Sequence, residues 1–189
     1  VALRQLAVME RYLKQFFSRS DSRAKQLVVV DLVQLVNQVL QLVHPHADHV
    51  GVRTEFISPE HSVLVKGDAD GLEQLITNLL QNGIEASAIP RTTGDSFDQV
   101  GNIIIQIKPS TSDHVKLIIK DSGPGPSSEV KNAMFEPLVT GRTDGTGLGL
   151  SVAQEIAMQH NSKICWERCD EMTCFTLELP ILNGEEIRV

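Results

Sequence analysis

Two neighbouring stretches in the middle of the chain alternate so regularly that they must pair as half-buried strands. In "NIIIQIK", Ile103, Ile105 and Ile107 fall on one side of an extended backbone. In "HVKLIIKD", Val115, Leu117 and Ile119 do the same. A sheet with one apolar face needs a cover. The segment from Ala69 to about Ile89 supplies one, with Leu72, Leu75, Ile76, Leu79 and Leu80 at helical spacing. A second helix begins after Asp31, a suitable cap, with the stripe Leu32, Leu35/Val36, Val39 and Leu42/Val43. "VGVRTEFIS" and "SVLVKGD" read as two further strands, and "SKICWERC" and "CFTLELP" as a closing hairpin. A last helix is expected from about Gly147 to His160. The expected fold is therefore α+β: a mixed, mostly antiparallel sheet covered on one face by helices.

With 189 residues the chain is long enough for one domain with a substantial core. Its net charge of -7 excludes a broad nucleic-acid surface, though not a small basic pocket for a phosphate ligand. No apolar run is long enough to span a membrane. Residues 1–24 form a charged, amphipathic helical pattern, with Leu3, Leu6, Met9, Leu13 and Phe16/Phe17 as its stripe. The chain starts inside that pattern without an initiating methionine, so it is expected to be a piece of a longer protein. Cys165, Cys169 and Cys174 lie close together. Their odd number argues against a disulfide framework and zinc needs a fourth ligand, so mostly buried, reduced thiols are expected.

Three segments carry candidate chemistry. In "LEQLITNLLQNGIEAS", Gln74, Asn78, Asn82 and Glu85 share a polar face beside the leucine stripe. Asparagine is a mediocre helix former. Two of them one turn apart either line an exposed face or offer amides to a hard cation or a phosphate oxygen. In "KLIIKDSGPGP", a strand ends in Asp121, followed by Gly123 and Gly125. A carboxylate there can accept a hydrogen bond from an exocyclic amine, and the glycines admit a ligand to the backbone. A turn with a solvated Asp is the alternative. In "MFEPLVTGRTDGTGLGL", Phe135, Pro137 and Leu138 offer an apolar anchor, and Arg142 brings a cation near Gly145, Gly147 and Gly149. That run enters a helix, where backbone N–H groups can hold an anion. It fits neither the G-x-G-x-x-G nor the Gly-Lys-Ser/Thr fingerprint.

The order and spacing of these segments resemble the Bergerat-type ATPases, the superfamily of DNA gyrase, Hsp90, MutL and the histidine kinases. Their wording is most similar to the sensor histidine kinases of two-component systems. "NLLQNGIEA" resembles the N box, "DSGPG" the G1 box, "FEPLVTGR" the F box and "GTGLGL" the G2 box. The resemblance spans about Val30 to Pro180. It implies a two-layer α/β sandwich of the Bergerat fold that binds ATP with Mg²⁺. Asn82 matches the metal-ligating asparagine and Asn78 an asparagine one turn earlier, where hydrolysing relatives carry a general-base glutamate. Asp121 matches the reader of the adenine amine, with Gly123 and Gly125 beside the base. Arg142 stands where many members have a phosphate-side lysine. Gly145, Thr146, Gly147, Leu148 and Gly149 match the turn over the triphosphate, and the stretch from Gly125 to Gly145 matches the ATP lid.

The resemblance further implies transfer of the γ-phosphoryl group to a histidine on a dimerisation domain, and relay to a response-regulator aspartate. Residues 1–25 are similar to the second helix of the dimerising, histidine-bearing hairpin plus a linker, and residues 26–189 to the catalytic domain. The partners implied are the protein's own hairpin, a response-regulator receiver domain and a second copy in a homodimer, with no nucleic acid. The implied location is cytoplasmic, on a parent that can be membrane-anchored. None of the six histidines sits in an early helix with an adjoining acid and Asn-Pro, so the acceptor is absent and these histidines read as structural or surface residues. Ser122, Pro126, Leu138 with Val139, and Met172 with Thr173 depart from the family's usual residues without removing a group the chemistry requires. Three other readings remain at this stage: a nucleotide-binding regulatory module without kinase activity, a gyrase- or chaperone-like ATPase, and an anti-sigma type serine kinase.

Overall fold

A computed structural model describes residues 27–88, 100–142 and 145–182. The helix expected over residues 1–24 lies outside them, as does most of the polar loop "PRTTGDSFDQVG". The described elements run β1 (Val28–Asp31), α1 (Leu32–His49), β2 (Val52–Ile57), β3 (Leu64–Gly67), α2 (Ala69–Ser87), β4 (Gly101–Pro109), β5 (His114–Asp121), α3 (Gly149–Gln159), β6 (Ile164–Cys169) and β7 (Met172–Pro180).

The five-stranded sheet has the order β2-β4-β5-β7-β6. The predicted pair β4 and β5 is antiparallel, with Ile105 opposite Ile119 and Ile107 opposite Leu117. Only β2 and β4 run parallel, because the chain between them crosses over through α2. Ile103, Ile105, Leu117, Ile119 and Leu177 turn inward and meet Leu72, Leu75, Ile76, Leu79 and Leu80 of α2. The α2 stripe is fully buried, as its spacing predicts. In α1, Val43 is buried but Leu42 points to solvent, so the stripe is narrower than the sequence suggests. Asp31 caps α1, its carboxylate accepting from the N–H groups of Val33 (3.0 Å) and Gln34 (3.4 Å).

Strand β1 is not anticipated by the sequence analysis. It pairs antiparallel with β3 in a separate two-stranded sheet. "VVVD" is too short to show a period, and it runs directly into the helix that Asp31 caps. The three thiols are all free, but only Cys174 is buried, while Cys165 is exposed and Cys169 intermediate. Contact with Cys174 and then Glu167 pushes the Cys169 thiol up to about 11, away from reactive thiolate character.

His160 is a structural histidine. It is 6% exposed at the end of α3. Its Nε2 accepts from the Asp68 N–H at 2.9 Å, and its Nδ1 donates to the Ile156 carbonyl at 2.7 Å. These partners fix the tautomer and tie the start of α2 to the end of α3. His160→Ala is expected to lower unfolding free energy by about 2–3 kcal/mol, from two lost hydrogen bonds and a small cavity. Urea unfolding monitored at Trp166 checks this.

Candidate active site

The site lies between α2, the end of β5, the loop after it and the start of α3. Asp121 closes β5 and is 3% exposed. It stays buried because Gly83 of α2 has no side chain. A Cβ there would meet Ile103 at 3.0 Å and Asp121 Cβ at 3.2 Å. The turn after Asp121 folds back on it, and the Gly123 N–H donates to the carboxylate at 2.9 Å. Ser122 ties the same turn to β4, its hydroxyl accepting from the Asn102 N–H at 2.9 Å and its own N–H donating to the Asn102 carbonyl at 3.0 Å. Burial pushes the Asp121 carboxyl up to about 6. The Gly123 N–H, the Thr173 hydroxyl, and the charges of Arg168 and Arg142 pull the other way.

One turn apart on α2, Asn78 and Asn82 face the same cleft. Their Nδ2 atoms are buried and have no hydrogen-bond partner. Among native side chains this is uncommon, because a buried amide left unpaired costs about 1–3 kcal/mol. The Asn82 amide sits against the first residue of α3, 3.2 Å from where a Cβ on Gly149 would be.

From Gly125 to Arg142 the chain lies along the cleft, with a series of turns after Ser127. Met134 is buried and Phe135 packs against the core. Leu138 does not serve as the expected anchor. It adopts a left-handed backbone (φ 68°), its N–H donates to the Gly147 carbonyl at 2.9 Å, and its side chain is thrown out to 66% exposure. Gly147 is itself left-handed (φ 66°), and a Cβ there would fall 2.5 Å from the Leu138 carbonyl carbon. Only glycine fits this clasp between Leu138 and the turn that enters α3. The left-handed turn delays α3, which starts at Gly149 rather than near Gly147. Its N-cap, Leu148, makes no side-chain cap bond, and no acidic side chain lies in the first turn. The helix end therefore faces the cleft without an anion of its own.

The cleft has a volume of about 390 Å³, within the range of small-molecule sites. Asn78, Asn82, Asp121, Gly125, Arg142, Gly145, Thr146, Gly147, Leu148 and Gly149 all line it. Gly123 does not line it, and instead donates its N–H to Asp121. Arg142 lies beside Asn82, and it is engaged. Its guanidinium pairs with Glu85 and donates to the Asn82 carbonyl at 2.9 Å. Thr173 and Phe175 of β7 also line the cleft and are not singled out by the sequence motifs. Only the register places Thr173 opposite Asp121.

Fold and cleft together define an α/β sandwich with a small-molecule-sized pocket between the loop after β5 and a helix N-terminus. The chain belongs to the family of histidine kinase-, DNA gyrase B- and HSP90-like ATPases, whose match covers residues 67–183. It is similar to the sensor histidine kinase ZraS of Salmonella typhi, 31% identical over 161 residues, 85% of this chain and 32% of that protein. It is also similar to the sensory histidine kinase/phosphatase NtrB of Vibrio alginolyticus, 32% identical over 162 residues, 81% of this chain and 44% of that protein. The catalytic domain of the histidine kinase ThkA matches with a TM-score of 0.68 and 28% identity, covering 82% of this chain and 97% of that one. ThkA in complex with the response regulator TrrA matches in fold, with a TM-score of 0.73 at 24% identity, over 94% of this chain and 48% of that one. The chain thus spans less than half the length of these curated relatives.

Proposed function

We propose that this domain binds ATP with Mg²⁺ in the cleft and passes the γ-phosphoryl group to an imidazole on a histidine-bearing hairpin of its own protein. From there it would move to an aspartate of a response-regulator receiver domain. The observation that carries the reading is the pair of buried, unpartnered amides of Asn78 and Asn82, set between a buried carboxylate and an uncapped helix end. An amide presents a donor or, turned over, an acceptor at the same place. A phosphate oxygen suits the first and a hard cation the second. Among the described residues no group of three or more His, Cys, Asp or Glu could cage a metal. Mg²⁺ would therefore be held by Asn82 together with phosphate oxygens and water. Bound there, it neutralises charge on the transferred group.

The chain's own groups do the rest. Asp121 orients the adenine amine. The Gly145–Gly149 turn and the first N–H groups of α3 face the phosphates. Arg142 would exchange Glu85 for a phosphate oxygen, a pairing well suited to guanidinium. Asn78 cannot take a proton from water, which favours transfer to a protein side chain over hydrolysis. Residues 1–25 would continue into the hairpin, with a second copy completing a homodimer stem. No helix among the described residues is long and apolar enough to cross a membrane. The domain would work in the cytoplasm, where ATP is available, on a parent that can be membrane-anchored.

The test uses this domain, the hairpin of its own protein, and γ-labelled ATP. Saturable, Mg²⁺-dependent binding, slow hydrolysis, and acid-labile label on the hairpin histidine are expected. Binding without transfer would favour a regulatory module, and rapid turnover without hairpin would favour a gyrase- or chaperone-like ATPase.

A further inference from the structure

Strand register places three polar side chains in one row across the sheet: Asp121 of β5 opposite Thr173 of β7, and Thr173 opposite Arg168 of β6. The row is wired together. Arg168 Nη1 donates to the Thr173 hydroxyl at 2.8 Å, which leaves that hydroxyl's own proton for the Asp121 carboxylate opposite it in the sheet. The same Nη1 donates to the Gly123 carbonyl at 2.8 Å, and Nη2 donates to the Glu171 carbonyl. The arginine stem also packs on Gly125, 3.2 Å from where a Cβ would stand. Gly125 is left-handed there (φ 80°). One guanidinium thus grips the turn that supplies the Asp121 N–H partner, from outside the cavity.

We propose that Arg168 is a positioning residue of the base site, holding the Gly123–Gly125 turn in place and keeping the Asp121 carboxylate an acceptor through Thr173. The proposal rests on the reading of Asp121 as the adenine reader. Its physical logic is charge. Asp121 is buried, and burial alone favours the protonated acid, which cannot accept from an amine in the same way. The groups facing it are uncharged from α2 (Gly83 and Ala86 at the turn), from β4 (Ile103) and from β7 (Thr173). The cations near it are Arg168 and Arg142, and Arg142 is paired with Glu85. Arg168 spends its Nη donors on neutral oxygens, so its charge remains available to the carboxylate.

The test compares ADP with inorganic tripolyphosphate as probes, titrated by calorimetry between pH 5 and pH 8. In Arg168→Gln, ADP affinity is expected to fall about 10-fold at pH 7. Its acid midpoint should move up, because Asp121 protonates sooner without the cation. Titration of the ADP phosphates is common to both proteins and cancels. Tripolyphosphate, which has no base, should bind unchanged. Arg168→Lys keeps the charge and should restore the acid midpoint. Thr173→Val removes the hydroxyl between Arg168 and Asp121 and should shift the midpoint in the same direction, which keeps the test open even if Arg168→Gln does not fold. Unchanged ADP affinity and midpoint in the variants would overturn the proposal, as would equal losses for both probes. If the wild-type domain binds neither probe saturably, the nucleotide-site reading itself falls and takes the proposal with it.

Discussion

Asn82→Ala is expected to weaken Mg²⁺·ATP binding at least about 100-fold, close to 3 kcal/mol, while leaving the nucleotide-free domain as stable as before or slightly more so. The two halves of this result have one cause. In the free protein the Asn82 Nδ2 is buried without a partner. Removing it deletes an unpaid desolvation cost and replaces a mediocre helix former with the best one. The lost packing is small because the side chain borders a cavity rather than filling a core site. With nucleotide bound, the same amide would gain a ligand that alanine cannot offer. The contact from Arg142 goes to the backbone carbonyl of Asn82 and survives the change. Calorimetric titration and urea unfolding on the same preparation separate the two effects. Wild-type affinity in the variant would remove Asn82 from the site. A large drop in stability would make it a structural residue instead.

Why was so much of this cleft visible in the sequence? Each of its main groups sits in a local pattern. Asn78 and Asn82 interrupt a leucine stripe at helical spacing, and Asp121 ends a strand whose alternation is unmistakable. The glycines mark the place where a chain must pass close to itself, as Gly147 does at the Leu138 carbonyl. What stayed hidden depends on partners distant in sequence. The insertion of β7 beside β5 makes Thr173 a neighbour of Asp121, and no pattern within β7 announces it. Arg168 is an exposed residue of β6 that reads as one more charged residue beside Glu167, and only the register reveals what it grips. Leu138 looks like an anchor by hydropathy, yet its left-handed backbone turns it outward. Arg142 is identifiable as a cation near the glycine run, but its pairing with Glu85 requires the loop to dock on α2.

Asp121→Asn should abolish discrimination in favour of adenine and, at neutral pH, make the free domain more stable. The folded carboxyl is pushed up to about 6 from an ordinary value of 3.8, mainly by burial. A carboxyl whose folded value is raised favours the native state most below its unfolded value. That contribution is lost as pH rises from about 4 through 6. Above pH 6 the wild-type domain carries a buried carboxylate at a cost of up to about 3 kcal/mol. Asparagine carries no such charge at any pH, and its Oδ1 can still accept from the Gly123 N–H. The stability of variant and wild type should therefore nearly coincide at pH 3.5, diverge between pH 4 and 6, and stay apart by up to about 3 kcal/mol at pH 8. Urea unfolding at five pH values across that range measures the difference. Parallel curves would show that Asp121 is not held against its burial. The predicted divergence, with adenine selectivity lost, identifies a charge kept at the expense of the fold because the ligand requires it. Asn82 follows the same rule with a dipole in place of a charge, so both groups that define the pocket are ones the free domain would be more stable without.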